Sequence, residues 1–251
     1  MLLLAKEHHA EAGLPVTLEE AALLGWIAGD GWEVKARVIK ATGRNAYCPH
    51  CGRGRKNKFR PMTYHVSQTK EENWGAIEAA MDGHGVVCRT RERAVRGEAR
   101  RDREWRLSAP YAHDLTERAG NPKTDCLDMV LHMSSDQRKA WLNAVFLAEG
   151  SANDHGSRSI SQNDGPLLEA VKVAIYLEGY RPSINRRKEA DRQHEARVAF
   201  IKPMLMVRNP GFFYEDAGEQ EVWCVTTGLG SFTAEQNGHI HLTANSLPES
   251  P

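Results

Sequence analysis

The chain has 251 residues, with 33 Lys and Arg against 33 Asp and Glu, 41% hydrophobic residues and a mean hydropathy of −0.55. That length holds one large core or two small domains, and the composition excludes a membrane-spanning protein, a coiled coil and a wholly disordered chain. The zero net charge hides an asymmetry: after Arg208 there is no Lys or Arg but six acids, so a mildly basic body is expected ahead of an acidic tail. The opening MLLL is followed at once by KEHH and is too short for export or anchoring, so a cytoplasmic location is expected. The five cysteines are an odd count without an export signal, which argues against a disulfide framework.

Thr17 and Glu20 have capping-box spacing, which predicts a helix over TLEEAALLGWIAGD (17–30) that ends at Gly31. Leu23, Leu24, Ile27 and Ala28 give it an apolar face, and Gly25 and Gly29 sit four apart on that face. Glycines in a helix interior cost about 1 kcal/mol each relative to Ala. Very close packing against a second helix is the expected compensation. HVSQTKEENWGAIEAAM (65–81) reads as a strand, a Ser-Gln pair and a helix, and REWRLSA (103–109) as a further strand.

The pattern then returns. SSDQRKAWLNAVFLAEG (134–150) opens with Ser134 and Gln137 at capping-box spacing and ends at Glu149 and Gly150. SISQNDGPLLEAVKVAIYLEG (159–179) and ARVAFIKPML (196–205) again read as strand, Ser-Gln, helix and strand. Laid over the first copy, Ala144 matches Gly25, Ala148 matches Gly29, Glu149 matches Asp30 and Gln162 matches Gln68. Gly120, Asn121 and Pro122 break periodicity between the copies. After Pro210 come a turn-rich acidic stretch and three short strand candidates, EVWCVTT, GSFTAEQ and HIHLTAN, punctuated by Gly228, Gly230 and Gly238. The expected organisation is a lead (1–17), a first half (18–115) with an insertion (40–61), a linker (116–133), a second half (134–208), an all-β segment (209–245) and a tail (246–251).

Three basic clusters are candidates for phosphate and base-edge contacts. RGRKNKFR (53–60) carries Arg53, Arg55, Lys56, Lys58 and Arg60 with no acid. CRTRERAVRGEARRDREWR (88–106) has eight Arg against four acids, and Arg89, Arg91 and Arg93 alternate as if projecting from one face of a strand. SINRRKEADRQ (183–193) adds Arg186, Arg187 and Lys188. Any one of these could instead be a solvated face. YCPHCG (47–52) resembles a zinc knuckle. Cys48 and Cys51, completed by His84 and Cys88 four apart, or by His50 or His65, form a candidate structural Zn²⁺ set, the alternative being a reduced pair in a loop.

LLGWIAGDG (23–31) and LNAVFLAEG (142–150) resemble the two signature motifs of LAGLIDADG homing endonucleases, over roughly residues 18–208. The resemblance implies an α+β fold of two pseudo-symmetric αββαββα halves. Two central helices would pack on Gly25, Gly29, Ala144 and Ala148, and the sheets would straddle double-stranded DNA. It implies a monomer that makes a staggered double-strand break at a long site. Asp30 and Glu149 would hold two or more Mg²⁺ ions, Gln68 and Gln162 would stand near the attacking water, and Lys202 would polarise that water or stabilise the phosphorane. The bare chemistry agrees: two carboxylates brought together repel unless cations sit between them, and Mg²⁺ takes hard oxygens. Glu149 departs from the usual Asp and lengthens the reach.

The tail is similar to the carboxyl-terminal splicing blocks of an intein, of the subclass that forms its branched thioester on an internal cysteine. That resemblance implies Cys224 as nucleophile, Thr243 before Ala244, Asn245 as the cyclising residue and Ser246 as first extein residue. Two other readings stay open. One is a carboxyl-terminal intein fragment that splices in trans with a separate amino-terminal fragment. The other is a non-catalytic DNA-binding protein on the same scaffold.

Overall fold

The computed structural model describes residues 13–39, 58–95, 98–152, 158–186, 195–201, 231–236 and 239–244. Its contacts divide the chain into a unit of residues 10–149 and a second built on residues 150–251. The fold is α+β.

In the first unit, helix α1 (Leu18–Ala28) starts with the expected reciprocal cap. Glu20 N donates to Thr17 Oγ1 at 3.2 Å, and Thr17 N donates to the Glu20 carboxylate at 2.9 Å. Seven of its eleven residues are buried, more than one apolar stripe would give, so the helix runs through the interior. Strands β1 (Gly31–Val34), β2 (Arg37–Ile39), β3 (Lys58–Arg60) and β4 (Thr63–Gln68) follow. A 3₁₀ turn (Glu71–Asn73) then leads into α2 (Trp74–Met81). A long hairpin, β5 (Gly85–Val95) and β6 (Glu98–Leu107), precedes α3 (Ala109–Ala119), α4 (Cys126–His132) and α5 (Ser135–Glu149). β6 begins earlier than expected, and the 116–133 connection is helical, with Gly120 at φ 90° between α3 and α4.

β1, β4, β6 and β5 pair in that order, all antiparallel, while β2 and β3 form a separate ribbon. Side chains alternate across β4 and β6: Tyr64, Val66, Gln68, Trp105 and Leu107 are buried on the helix side. They meet a core that includes Leu23, Leu24, Ile27, Ile77, Leu115, Trp141 and Val145. The second capping box also forms: Gln137 N donates to Ser134 Oγ, and Ser134 N to Gln137 Oε1. Gln137 does more than cap. Its Oε1 also accepts from Leu14 N at 3.0 Å, and its Nε2 donates to Leu14 O and Val16 O, which ties the lead-in of α1 to the start of α5.

The second unit holds β7 (Gly150–Ala152), β8 (Arg158–Asn163), α6 (Pro166–Leu177), β9 (Arg181–Arg186) and β10 (Glu195–Ile201). Its strands pair in the order β7-β8-β10-β9, so the first–second–fourth–third order of the earlier sheet recurs. Pro166 sits at the start of α6, where its missing N–H costs nothing. Leu168, Val171, Ala174 and Ile175 are buried along one helix face, and Ile160 of β8 is buried as well. β11 (Ser231–Gln236) and β12 (His239–Ala244) form an antiparallel hairpin. The expected strand EVWCVTT lies outside the described residues.

Candidate active site

The small residues set the approach of α1 to α5. A β-carbon added at Gly25 would lie 2.9 Å from Ala144 Cβ, and one at Gly29 would lie 2.7 Å from Ala148 Cβ and 3.4 Å from Glu149 Cγ. Carbon atoms are comfortable at about 3.5–4.0 Å. Any larger side chain at either glycine would push the helices apart. This approach brings the turn that carries Asp30 beside the end of α5, where Glu149 is the last helical residue.

α1 stops two residues before the expected end. Its final carbonyls are taken by Lys123, whose Nζ donates to Ile27 O at 3.1 Å and Ala28 O at 2.9 Å. Gln68 Nε2 donates to Asp30 Oδ2 at 2.6 Å, and Gln68 Oε1 accepts from Lys70 N at 2.8 Å, so the amide is held from both ends. The last turn of α5 is capped from the side. Asn73 Nδ2 and Lys70 Nζ donate to Leu147 O at 3.0 Å and 3.3 Å.

Burial, and then the charge of Glu149, push the Asp30 carboxyl up to about 6, with Lys70 and Lys123 opposing. Burial pulls the Lys123 ammonium below its usual value, with Cys126, Glu149 and Asp30 opposing. Two carboxylates and two ammonium groups therefore share one electrostatic neighbourhood. The donor set fits a hard divalent cation: it offers carboxylate oxygens, and it contains a carboxylate whose ionisation is disfavoured until positive charge arrives.

The opposite face of this sheet carries His65, Ser67, Arg89, Asp102, Glu104 and Arg106, by the registers of β4, β5 and β6. Arg89 and Arg91, candidates for phosphate and base-edge contacts, each have an acid across the strand. Arg89 pairs with Glu104, Arg91 lies 3.8 Å from Asp102, and Ser67 Oγ donates to Asp102. Their side chains remain 49% and 41% exposed, so each still offers a side to an incoming anion.

The remaining candidates divide by position. Gln162 is half-buried on β8 in the second unit, opposite Ala196 of β10. Arg60 is exposed on β3, and Lys58, Arg93, Arg186 and Thr243 stand on β3, β5, β9 and β12. Lys202, Arg53, Arg55, Lys56, Arg187, Lys188, Cys48, Cys51, Cys224, Asn245 and Ser246 lie outside the described residues. Of the zinc candidates, His84, Cys88 and His65 lie among the described residues. His84 precedes β5, its ring stacked on Tyr111 at 3.9 Å, and Cys88 lies within β5.

Lys70, Asn73 and Lys123 escaped the sequence reading. Lys70 stands two residues after Gln68, in the turn between β4 and α2, and that closeness was a usable signal. Nothing in the sequence around Lys123 points to α1.

No protein-family model matches the chain, and comparison with curated proteins returns no match. Among solved structures the chain is similar to I-DmoI in complex with DNA and Mn, with a TM-score of 0.42 and 17% identity over 72% of this chain and 89% of that one. It is similar to mesophilic variants of the homing endonuclease I-DmoI, with a TM-score of 0.42 and 16% identity over 72% and 88%. It is also similar to an I-DmoI variant in complex with its target DNA in the presence of Mg, with a TM-score of 0.42 and 15% identity over 72% and 88%.

Proposed function

We propose that the chain is a metal-dependent endonuclease of the LAGLIDADG type that cuts both strands of duplex DNA at a long recognition site. The observation that carries this is the pairing of Asp30 and Glu149 at the ends of a glycine–alanine helix crossing, with Lys70 and Lys123 beside them. Phosphodiester cleavage needs negative oxygens to hold a cation and positive groups to meet the phosphate, and this neighbourhood supplies both. The recurring strand order supports two related halves.

A divalent ion such as Mg²⁺ held by Asp30 and Glu149 would activate water and offset charge on the phosphate. The chain's own groups prepare the site. Gln68 fixes one Asp30 oxygen, Lys123 pins the end of α1, and Asn73 with Lys70 pins the end of α5. In this reading Gln162 and Lys202 keep the roles that the family resemblance implies for them. Arg89 and Arg91 give DNA contacts from their exposed sides, and the enzyme works as a monomer in the cytoplasm. Cleavage of a randomised duplex DNA library in the presence of Mg²⁺ tests the reading. Wild type should yield a double-strand break that Asp30→Asn and Glu149→Gln abolish. Binding without cleavage by wild type would leave a DNA-binding protein instead.

The splicing reading belongs to the acidic tail, where Cys224, Thr243, Asn245 and Ser246 would act with a separate amino-terminal intein fragment. Adding such a fragment and following release of residues 246–251 tests it.

A further inference from the structure

We propose that His65, Cys88 and Glu104 form a zinc site on the open face of the β1-β4-β6-β5 sheet, independent of the nuclease reading. One ligand atom from each lies within 4.8 Å of the others, although the three residues come from three different strands. Cys88 reaches this cluster through a bulge. Val87 pairs with Trp105 and Arg89 with Glu104, which leaves Cys88 as the extra residue. A bulge re-aims a side chain that regular alternation would send elsewhere.

The surroundings are already those of a metal ligand set. Glu104 divides its oxygens: Oε1 lies 3.0 Å from His65 Nδ1, and Oε2 is held by Arg89. An ion would take the place of the His65–Oε1 contact while Arg89 kept its grip on the other oxygen, the outer-shell support that ligating carboxylates usually have. The Trp32 ring lies 5.3 Å from the His65 ring and restrains it. Thiolate, imidazole and carboxylate are zinc donors, and a fourth position would face solvent. Zn²⁺ with one thiolate, one carboxylate and a neutral imidazole is formally uncharged, so nearby Arg89 and Arg106 do not oppose it. The thiol proton leaves to solvent as the Zn–S bond forms.

The test uses the full chain, freed of metal and titrated with Co²⁺ in excess Mg²⁺. Wild type should develop the sulfur-to-cobalt charge-transfer band and the intense visible bands of four-coordinate cobalt, reversed by Zn²⁺. Cys88→Ser should lose the charge-transfer band. His65→Ala should weaken binding at least about 100-fold, and Arg89→Ala about 10-fold. Circular dichroism would establish that each variant is folded. The band should persist in the double variant Cys48→Ser/Cys51→Ser and in Asp30→Asn, so failure of the nuclease reading leaves this result untouched. A wild type without the band overturns the proposal. So does a band that survives Cys88→Ser and disappears with Cys48 and Cys51.

Discussion

Gly29, which caps α1, and Ala148 of α5 are so close that a β-carbon on the glycine would lie 2.7 Å from the alanine methyl. One residue beyond each of them in the chain stands an acid, Asp30 or Glu149. The carboxylates are therefore brought together by the absence of side-chain bulk one position earlier, and packing and chemistry are coupled at this point.

Gly29→Ala should destabilise the protein by about 1–3 kcal/mol, the usual penalty for overpacking. Ala148→Gly in the same molecule should recover most of that loss, because it removes the atom that the new methyl meets. Urea denaturation of the two single variants and the double variant gives the coupling energy. Additive effects would show that the helices do not touch there.

Asp30→Asn should abolish cleavage yet raise stability. The folded carboxyl titrates near 6 against an ordinary 3.8, so its ionisation works against folding once the pH passes through that interval. The variant should match wild type below about pH 4, gain between about pH 4 and 6, and hold a gain of up to about 3 kcal/mol above that. Saturating Mg²⁺ should shrink the gain by stabilising wild type alone. Denaturation midpoints across pH, with and without Mg²⁺, check this.

Protons and cations compete for the same oxygens. Divalent-ion affinity and cleavage should both fall as pH drops through about 6, where Asp30 takes up its proton. Calorimetric titration with Mn²⁺ at several pH values reads the first, and single-turnover cleavage the second. Flat affinity from pH 5 to pH 8 would contradict the shared site.

Lys123→Met removes two hydrogen bonds to the end of α1 and a positive charge beside Asp30. A cost of about 1–3 kcal/mol in stability is expected. The more telling change is in the pH profile of cleavage. Lys123 pulls the Asp30 carboxyl down, so its loss should move the activity midpoint to higher pH, and Lys123→Arg should restore part of the shift. A stability loss without movement of the midpoint would make Lys123 a structural cap only.

Far from the site, Glu20 joins the Thr17 cap to Arg118 and Tyr111. The Arg118 hydrogen bond, chiefly, lowers its carboxyl from 4.5 to about 2. A lowered acid contributes stability above its ordinary value and loses it as pH falls. Glu20→Gln should therefore cost about 2–3 kcal/mol at neutral pH, and the gap to wild type should close between about pH 5 and pH 2. Acid titration of the denaturation midpoint of both proteins measures it.

Much of the helical framework was legible in the sequence because it is local. Capping boxes at Thr17–Glu20 and Ser134–Gln137 mark starts through contacts three residues apart. Glycines in an apolar helix announce a close neighbour, and the matching alanines in the second segment say which one. The acids that follow were visible for the same reason. Tertiary structure alone decided what these groups meet. Strand register gave Arg89 and Arg91 their acid partners, and a single bulge accompanies the placing of Cys88 beside His65 and Glu104. The turn between α3 and α4 delivered Lys123 to the end of α1. A spacing of four residues is one turn in a helix but about 13 Å in a strand, and partners across a sheet or a crossing are set by three-dimensional packing that no local pattern encodes.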